Sequence, residues 1–193
     1  MPLGAARFGL LGGVADLGKL ELIETQTVTS NVTSVDFTSI QQNKYDVHRL
    51  DIINARSDTD NKDFALRVST GGTFQTGSLY HRALFTINSS GTTAESRVTT
   101  AAQMDITQNS GNATNEKSNS IVYIYNAGNS SKYTFNTSHS STIDNGGAFK
   151  TVFGGGVYDI ANEVDGFRIF MDASGNIASG IFKLYGIKQI WVT

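Results

Sequence analysis

Apolar residues alternate with polar ones along most of this chain, in short runs broken by Gly, Asn, Ser and Asp. A period of two sends successive side chains to opposite faces of an extended backbone, so it predicts strands half-buried in a sheet. Leu20 and Leu22 flank Glu21, and the run continues through Thr25, Thr27 and Val28. Val35 and Phe37 share a face in residues 34–40, and Leu50 and Ile52 lie opposite Arg49 and Asp51 in 47–54. The cleanest alternation is Phe64, Leu66 and Val68 against Ala65, Arg67 and Ser69. Ala83, Phe85 and Ile87 form another face and end in the turn Asn88-Ser-Ser-Gly91. Residues 98–106 are weaker. Residues 121–125 are almost wholly apolar and predict a central strand buried on both sides. Tyr133 and Phe135 follow, then 149–153.

Near the C-terminal end, Phe167, Ile169 and Met171 fall on one face, with Arg168 and Asp172 on the other. From Gly180 to Ile187, Phe182 and Leu184 oppose Lys183. Between these runs Ser174, Gly175 and Asn176 offer the positive φ and local hydrogen bonds of a tight reversal, which predicts a β-hairpin. The count comes to about ten strands. No helical period holds for the ten or more residues a helix needs, and no internal repeat emerges. The expectation is an all-β, antiparallel two-sheet sandwich over residues 19–193. Three polar stretches, 54–63, 108–119 and 136–147, are expected as loops at its rims.

Residues 1–18 break the pattern. They are small, apolar and glycine-spaced, with Arg7, Phe8, Leu10 and Leu11 as large side chains. That reads as an extended N-terminal docking arm whose apolar side chains become buried on assembly. The single Trp191 is expected to pack on this core or on a neighbouring subunit.

Composition narrows the chemistry. The net charge of -2 gives no electrostatic footprint for nucleic acid. Charged residues make up only 17%, and Ser, Thr, Asn and Gly replace them at well over a quarter of the chain. With no cysteine, neither disulfides nor thiolate metal sites hold the fold. No segment approaches the roughly 20 apolar residues of a membrane-spanning helix.

Candidate sites are sparse. Asp58-Thr-Asp60-Asn-Lys-Asp63 resembles the start of a calcium loop but lacks its glycine and its closing acid, which makes a solvated acidic turn the better reading. His48, His81 and His139 share no metal-ligand spacing. No G-x-S-x-G elbow supports a serine nucleophile at Ser138 or Ser140. Glu21, Glu24, Asp36, Asp51, Glu163 and Asp165 could in principle supply the paired carboxylates of glycan hydrolysis. Gly154-Gly-Gly156 has no phosphate-loop context and is expected to let the backbone approach another chain or kink at a sheet edge. No catalytic, metal or cofactor residue is assigned.

The segment Ser174-Gly-Asn-Ile-Ala-Ser-Gly180, followed by Lys183-Leu-Tyr-Gly-Ile187, resembles the C-terminal signature of small jelly-roll virion proteins of tailed bacteriophages, especially cyanophages and marine phages. The opening Met1-Pro-Leu-Gly-Ala-Ala-Arg-Phe-Gly-Leu-Leu-Gly-Gly13 is similar to the N-terminal peptide of such proteins. The resemblance implies a jelly-roll connectivity and a structural role on the virion, as a capsid decoration (cement) protein. It also implies the major capsid protein as partner, a homotrimer and no membrane or nucleic acid, with synthesis in the bacterial host cytoplasm. Arg7, Phe8, Leu10 and Leu11 would then dock the arm, and Trp191 would lie at a subunit interface. The alternatives are a tail fibre or tip that binds host-surface glycan, a glycan depolymerase, and a free carbohydrate-binding module.

Overall fold

The computed structural model describes residues 19–187. Among them there are thirteen strands and no helix. In chain order these are β1 (Leu20–Val28), β2 (Ser34–Phe37), β3 (Val47–Ser57), β4 (Phe64–Thr70), β5 (Thr73–Phe74), β6 (Tyr80–Asn88) and β7 (Thr93–Ala101). Then come β8 (Met104–Asp105), β9 (Ser118–Tyr125), β10 (Thr134–Ile143), β11 (Phe149–Tyr158), β12 (Gly166–Met171) and β13 (Ile177–Ile187). The larger sheet runs β1-β13-β3-β9-β10-β11-β6-β7, and the smaller runs β2-β12-β4-β5, with β8 also paired to β4. Every pairing is antiparallel. The expected two-sheet sandwich is what the chain forms.

Its core is filled by the inner residues of both sheets. Phe37, Phe64, Leu66, Phe167 and Ile169 from the smaller sheet and Leu50, Ile52, Val122, Phe182 and Leu184 from the larger are fully buried. His48 of β3 meets Phe167 of β12 edge to face across the core, ring centroids 5.4 Å apart.

The predicted C-terminal hairpin is not one. β12 pairs with β2 and β4 in the smaller sheet, whereas β13 pairs with β1 and β3 in the larger. Residues 172–176 therefore arch from one sheet to the other. The alternation is as expected, but the two apolar faces look at each other across the core instead of sharing one side of a sheet. Positive φ falls on Ala173 (44°) and Ser174 (69°). Gly175 is needed for space, since a Cβ there would sit 3.0 Å from Met171 Cβ. Asn176 fastens the arch, donating its backbone N–H to Asp58 Oδ1 and its side-chain amide to Oδ2, both at 2.8 Å.

Two predicted loops are also structural. Residues 136–147 mostly lie in β10, a strand whose buried face is Thr134, Asn136, Ser138, Ser140 and Thr142. This polar inner face is hydrogen-bonded at Ser140 and Thr142 but not at Thr134, Asn136 or Ser138. Ser140 Oγ donates to the Ile106 carbonyl at 2.8 Å, and Ser118 Oγ lies 2.7 Å from Thr142 Oγ1. The stretch at 108–119 contributes buried Ser110, which bridges Lys62 and Asp144. The weak strand expected at 98–106 is the end of β7 and the whole of β8. Residues 121–125 are buried on one side only, with Ile121 exposed.

Removing the arch clamp tests the sheet crossing. Asp58→Ala leaves two Asn176 donors unmatched and should cost about 1–3 kcal/mol in urea unfolding. A loss near zero would show that the arch holds without it.

Candidate functional site

The outer face of the larger sheet carries a run of apolar residues flanked by the charged side chains of Arg49, Asp51, Glu95 and Arg97. Cross-strand register aligns Leu20, Ile187, Val47, Tyr125, Phe135 and Val157 across six neighbouring strands. A second row holds Ile121, His139, Phe153 and Phe85. Ile87, Ile121, Phe135, Phe149 and Phe153 are each between 39% and 47% exposed. Together they offer roughly 400 Å² of apolar surface, within the range of the largest patch on a typical monomer, which is often an interaction site.

Between the two rows lie Tyr123, Thr137, Gly155 and Ala83. Thr137, Gly155 and Ala83 are short and make a trough floor, with Phe135 and Val157 on one wall and Phe153 and Phe85 on the other. The Phe85 and Phe153 rings lie 5.5 Å apart at a tilt of 51°, and His139 stands edge-on to Phe153 at 6.3 Å. The trough holds a depression of about 650 Å³ bounded by His81, Arg97 and Phe135. Past Ala83 a second depression of about 350 Å³ is bounded by Phe85, Phe153 and Glu95.

The glycines explain the trough. Gly154 to Gly156 lie in β11, an interior strand between β10 and β6, so the expected kink at a sheet edge is overturned. A Cβ at Gly154 would collide with the Ala83 carbonyl oxygen, and one at Gly155 with that of Asn136. Glycine here allows close approach of neighbouring strands, and at Gly155 it leaves the middle of the floor without a side chain.

A third depression, also about 350 Å³, is polar. Arg49, Asp51, Asn119, His139 and Ser141 line it beside Ile121. Arg49 grips Asp51 with Nε and a terminal nitrogen at 2.7 and 3.1 Å. Its place beside the β3 bulge comes with Asn54 at φ 50°, whose N–H donates to Asn119 Oδ1.

The sequence-predicted residues are distributed as follows. Arg7, Phe8, Leu10, Leu11 and Trp191 lie outside the described residues. The chain that leads to both groups leaves from one corner of the sheet, because Leu20 is paired with Ile187. His48 is buried with Nε2 2.7 Å from the Ile40 carbonyl, and burial lowers its pKa. His81 sits 3.2 Å from Asp159, and His139 Nε2 lies 3.0 Å from Thr151 Oγ1. The three histidines share no site. Among the described residues no group of three His, Asp or Glu side chains is placed to hold a metal ion.

The candidate carboxylates are each engaged separately. Asp36 takes two hydrogen bonds from Arg168, Glu21 takes Lys44 and the Tyr45 hydroxyl, and Glu163 accepts from Gln42. Asp165 accepts the Gly72 N–H, and Glu24 the Gln26 amide. Tyr80 and Tyr158 are core residues, whereas Tyr123, Tyr125 and Tyr185 line the outer face. What sequence reasoning missed is the row formed by Phe85, His139 and Phe153, since only pairing register brings these strands together. No protein-family model matches the chain, and no curated protein matches it.

The acidic run divides. Asp58 fastens the arch, while Asp63 turns inward and accepts the Asn109 N–H at 2.5 Å. Burial pushes the Asp63 carboxyl up to about 7, with Asp105 and Asp172 adding to the rise and Arg82 opposing it. The folded chain thus holds a proton that the unfolded chain has lost above 3.8. Its contribution is full below that value and is lost as pH rises through about 7. Asp63→Asn removes this dependence, so urea midpoints at pH 5, 6 and 8 should move in the variant's favour as pH rises. A constant gap between variant and parent would rule the titration out.

The apolar outer face makes a separate expectation. Phe135→Ser and Phe153→Ser should each cost about 1–2 kcal/mol of folding stability, less than a fully buried ring would, while lowering the binding of an apolar fluorescent dye. Losses of several kcal/mol would mean that these rings belong to the core.

Proposed function

We propose that this chain is a structural protein of a tailed-phage virion, a capsid decoration protein that binds across subunits of the major capsid protein and stabilises the head. The observation that carries the reading is the apolar outer face of the larger sheet. Such a face in water is costly, and covering it on assembly returns about 25 cal/mol for each Å² removed from solvent. The described strands offer a broad shallow surface for this, suited to another macromolecule.

Two further features support it. The chain segments that carry Phe8, Leu10, Leu11 and Trp191 are joined to the sheet at one corner, beside the apolar row that begins at Leu20. An arm and a sheet face engaging together give avidity that neither supplies alone, which is what resisting the outward pressure of packaged DNA requires. The order β1-β13-β3-β9 in one sheet, with β2-β12-β4-β8 in the other, is also what two interleaved Greek keys generate. It supports the jelly-roll reading of the sandwich.

A tail-fibre role is the second reading, and the polar depression favours it. Arg49, Asp51, Asn119 and His139 present donors and acceptors of the kind that bind sugar hydroxyls, beside Ile121. Copies per purified particle, measured by quantitative mass spectrometry against the major capsid protein, separate the two. A simple fraction of the capsid subunit number is expected. A handful to a few tens of copies would overturn the decoration reading and move attention to the polar depression.

A further inference from the structure

β7 ends the larger sheet, so among the described residues no strand lies along its outer side. An edge of nine residues leaves a row of backbone N–H and C=O groups able to template another strand. Edges are usually blunted by charged side chains, lysine above all, by proline, a bulge or brevity. β7 contains neither proline nor lysine, and its irregularity against β6 is confined to the end near Val98 and Ala101.

What β7 carries instead is a pair of opposite charges on alternate residues. Glu95 and Arg97 stand on the outer face 3.3 Å apart, with side chains 60% and 81% exposed. Within one chain such a pair contributes little. Across a two-fold axis through Ser96 it becomes self-complementary, because rotation brings Arg97 to where Glu95 stood.

We infer that β7 pairs with β7 of a second copy of this chain, antiparallel and centred on Ser96. Glu95 of each copy then lies opposite Arg97 of the other and Ala94 opposite Val98, short of the irregular segment that follows Val98. Charge fixes this register. Keeping outer-face residues opposite outer-face residues allows shifts of two only. The neighbouring registers centre on Glu95 or on Arg97, and each sets like charges face to face. The balance of one acid and one base favours a second copy over a partner of strong net charge. Both depressions of the trough touch Arg97, so pairing also joins the apolar faces of the two copies. The contact does not rest on the virion reading, and particle copy number can fail while this dimer stands.

Sedimentation equilibrium of the purified chain tests it, with circular dichroism melting as the folding control. The parent is expected at twice the chain mass. Arg97→Glu alone and Glu95→Arg alone should each weaken the dimer about tenfold while leaving the melting temperature nearly unchanged, because both side chains are exposed. The double exchange, Glu95→Arg with Arg97→Glu, should restore the parent's dimer affinity. A monomeric or trimeric parent, a dimer indifferent to the single changes, or a double exchange that fails to recover affinity would each overturn the proposal.

Discussion

Phe167, Ile169 and Met171 on one wall of the core, and Ile177, Phe182 and Leu184 on the other, come from strands only a few residues apart in the chain. Burying both sets requires the backbone to leave one sheet and enter the other within residues 172–176. That crossing fixes the spacing of the two sheets and delivers β13 between β1 and β3. The Asp58 to Asn176 clamp and the glycine that fits against Met171 serve this one constraint. Each fully buried apolar side chain in the layer contributes about 1.5–3 kcal/mol, so the six together outweigh the roughly 1–3 kcal/mol that a strained turn residue costs.

At the far half of the larger sheet, β6 and β11 still bury Tyr80, Leu84, Val152 and Tyr158, but β10 turns a polar face inward. β10, β11 and β6 extend beyond the strands that face the smaller sheet squarely, and residues 104–110 fill the gap beneath them. A backbone strap needs donors and acceptors, and on the inner face of β10 Ser140 donates to its Ile106 carbonyl. Among the described residues the hydroxyls of Ser120 and Ser138 and the amide of Asn136 are buried without a hydrogen-bond partner. On the other side of the same strands the aromatic residues stand outward. At β10 the usual order is thus inverted, polar inside and aromatic outside, while β11 beside it and β6 beyond keep buried Tyr80, Val152 and Tyr158 on the core side.

The same inversion explains what was legible beforehand. Alternation around Phe64, Leu66 and Val68, or around Leu50 and Ile52, predicted the right strands and faces, because apolar there means inward. At β9 the rule blurred, since Ile121 and Tyr123 are apolar and outward while Ser118 and Ser120 are polar and buried. At β10 it reversed, and a stretch of Ser, Thr and Asn passed for a loop. Turn chemistry at 172–176 identified a change of direction correctly. It carried no information on whether the next strand joins the same sheet, which depends on partners more than a hundred residues away. The interaction face was equally hidden, because Phe85, His139 and Phe153 become neighbours only through long-range register.

The pairing of Leu20 with Ile187 also governs the order in which this fold can be assembled. During synthesis β1 has no sheet partner until β13 has left the ribosome, so the larger sheet cannot close before that strand emerges. Pairings of such high sequence separation pay their loop-closure cost before they gain contacts, which places folding toward the slow, millisecond-to-second end of the range for small domains. Throughout that interval the strands with outward aromatic residues are already present. Their first encounter with another chain is therefore a competition between folding and assembly, decided by how quickly β13 inserts between β1 and β3.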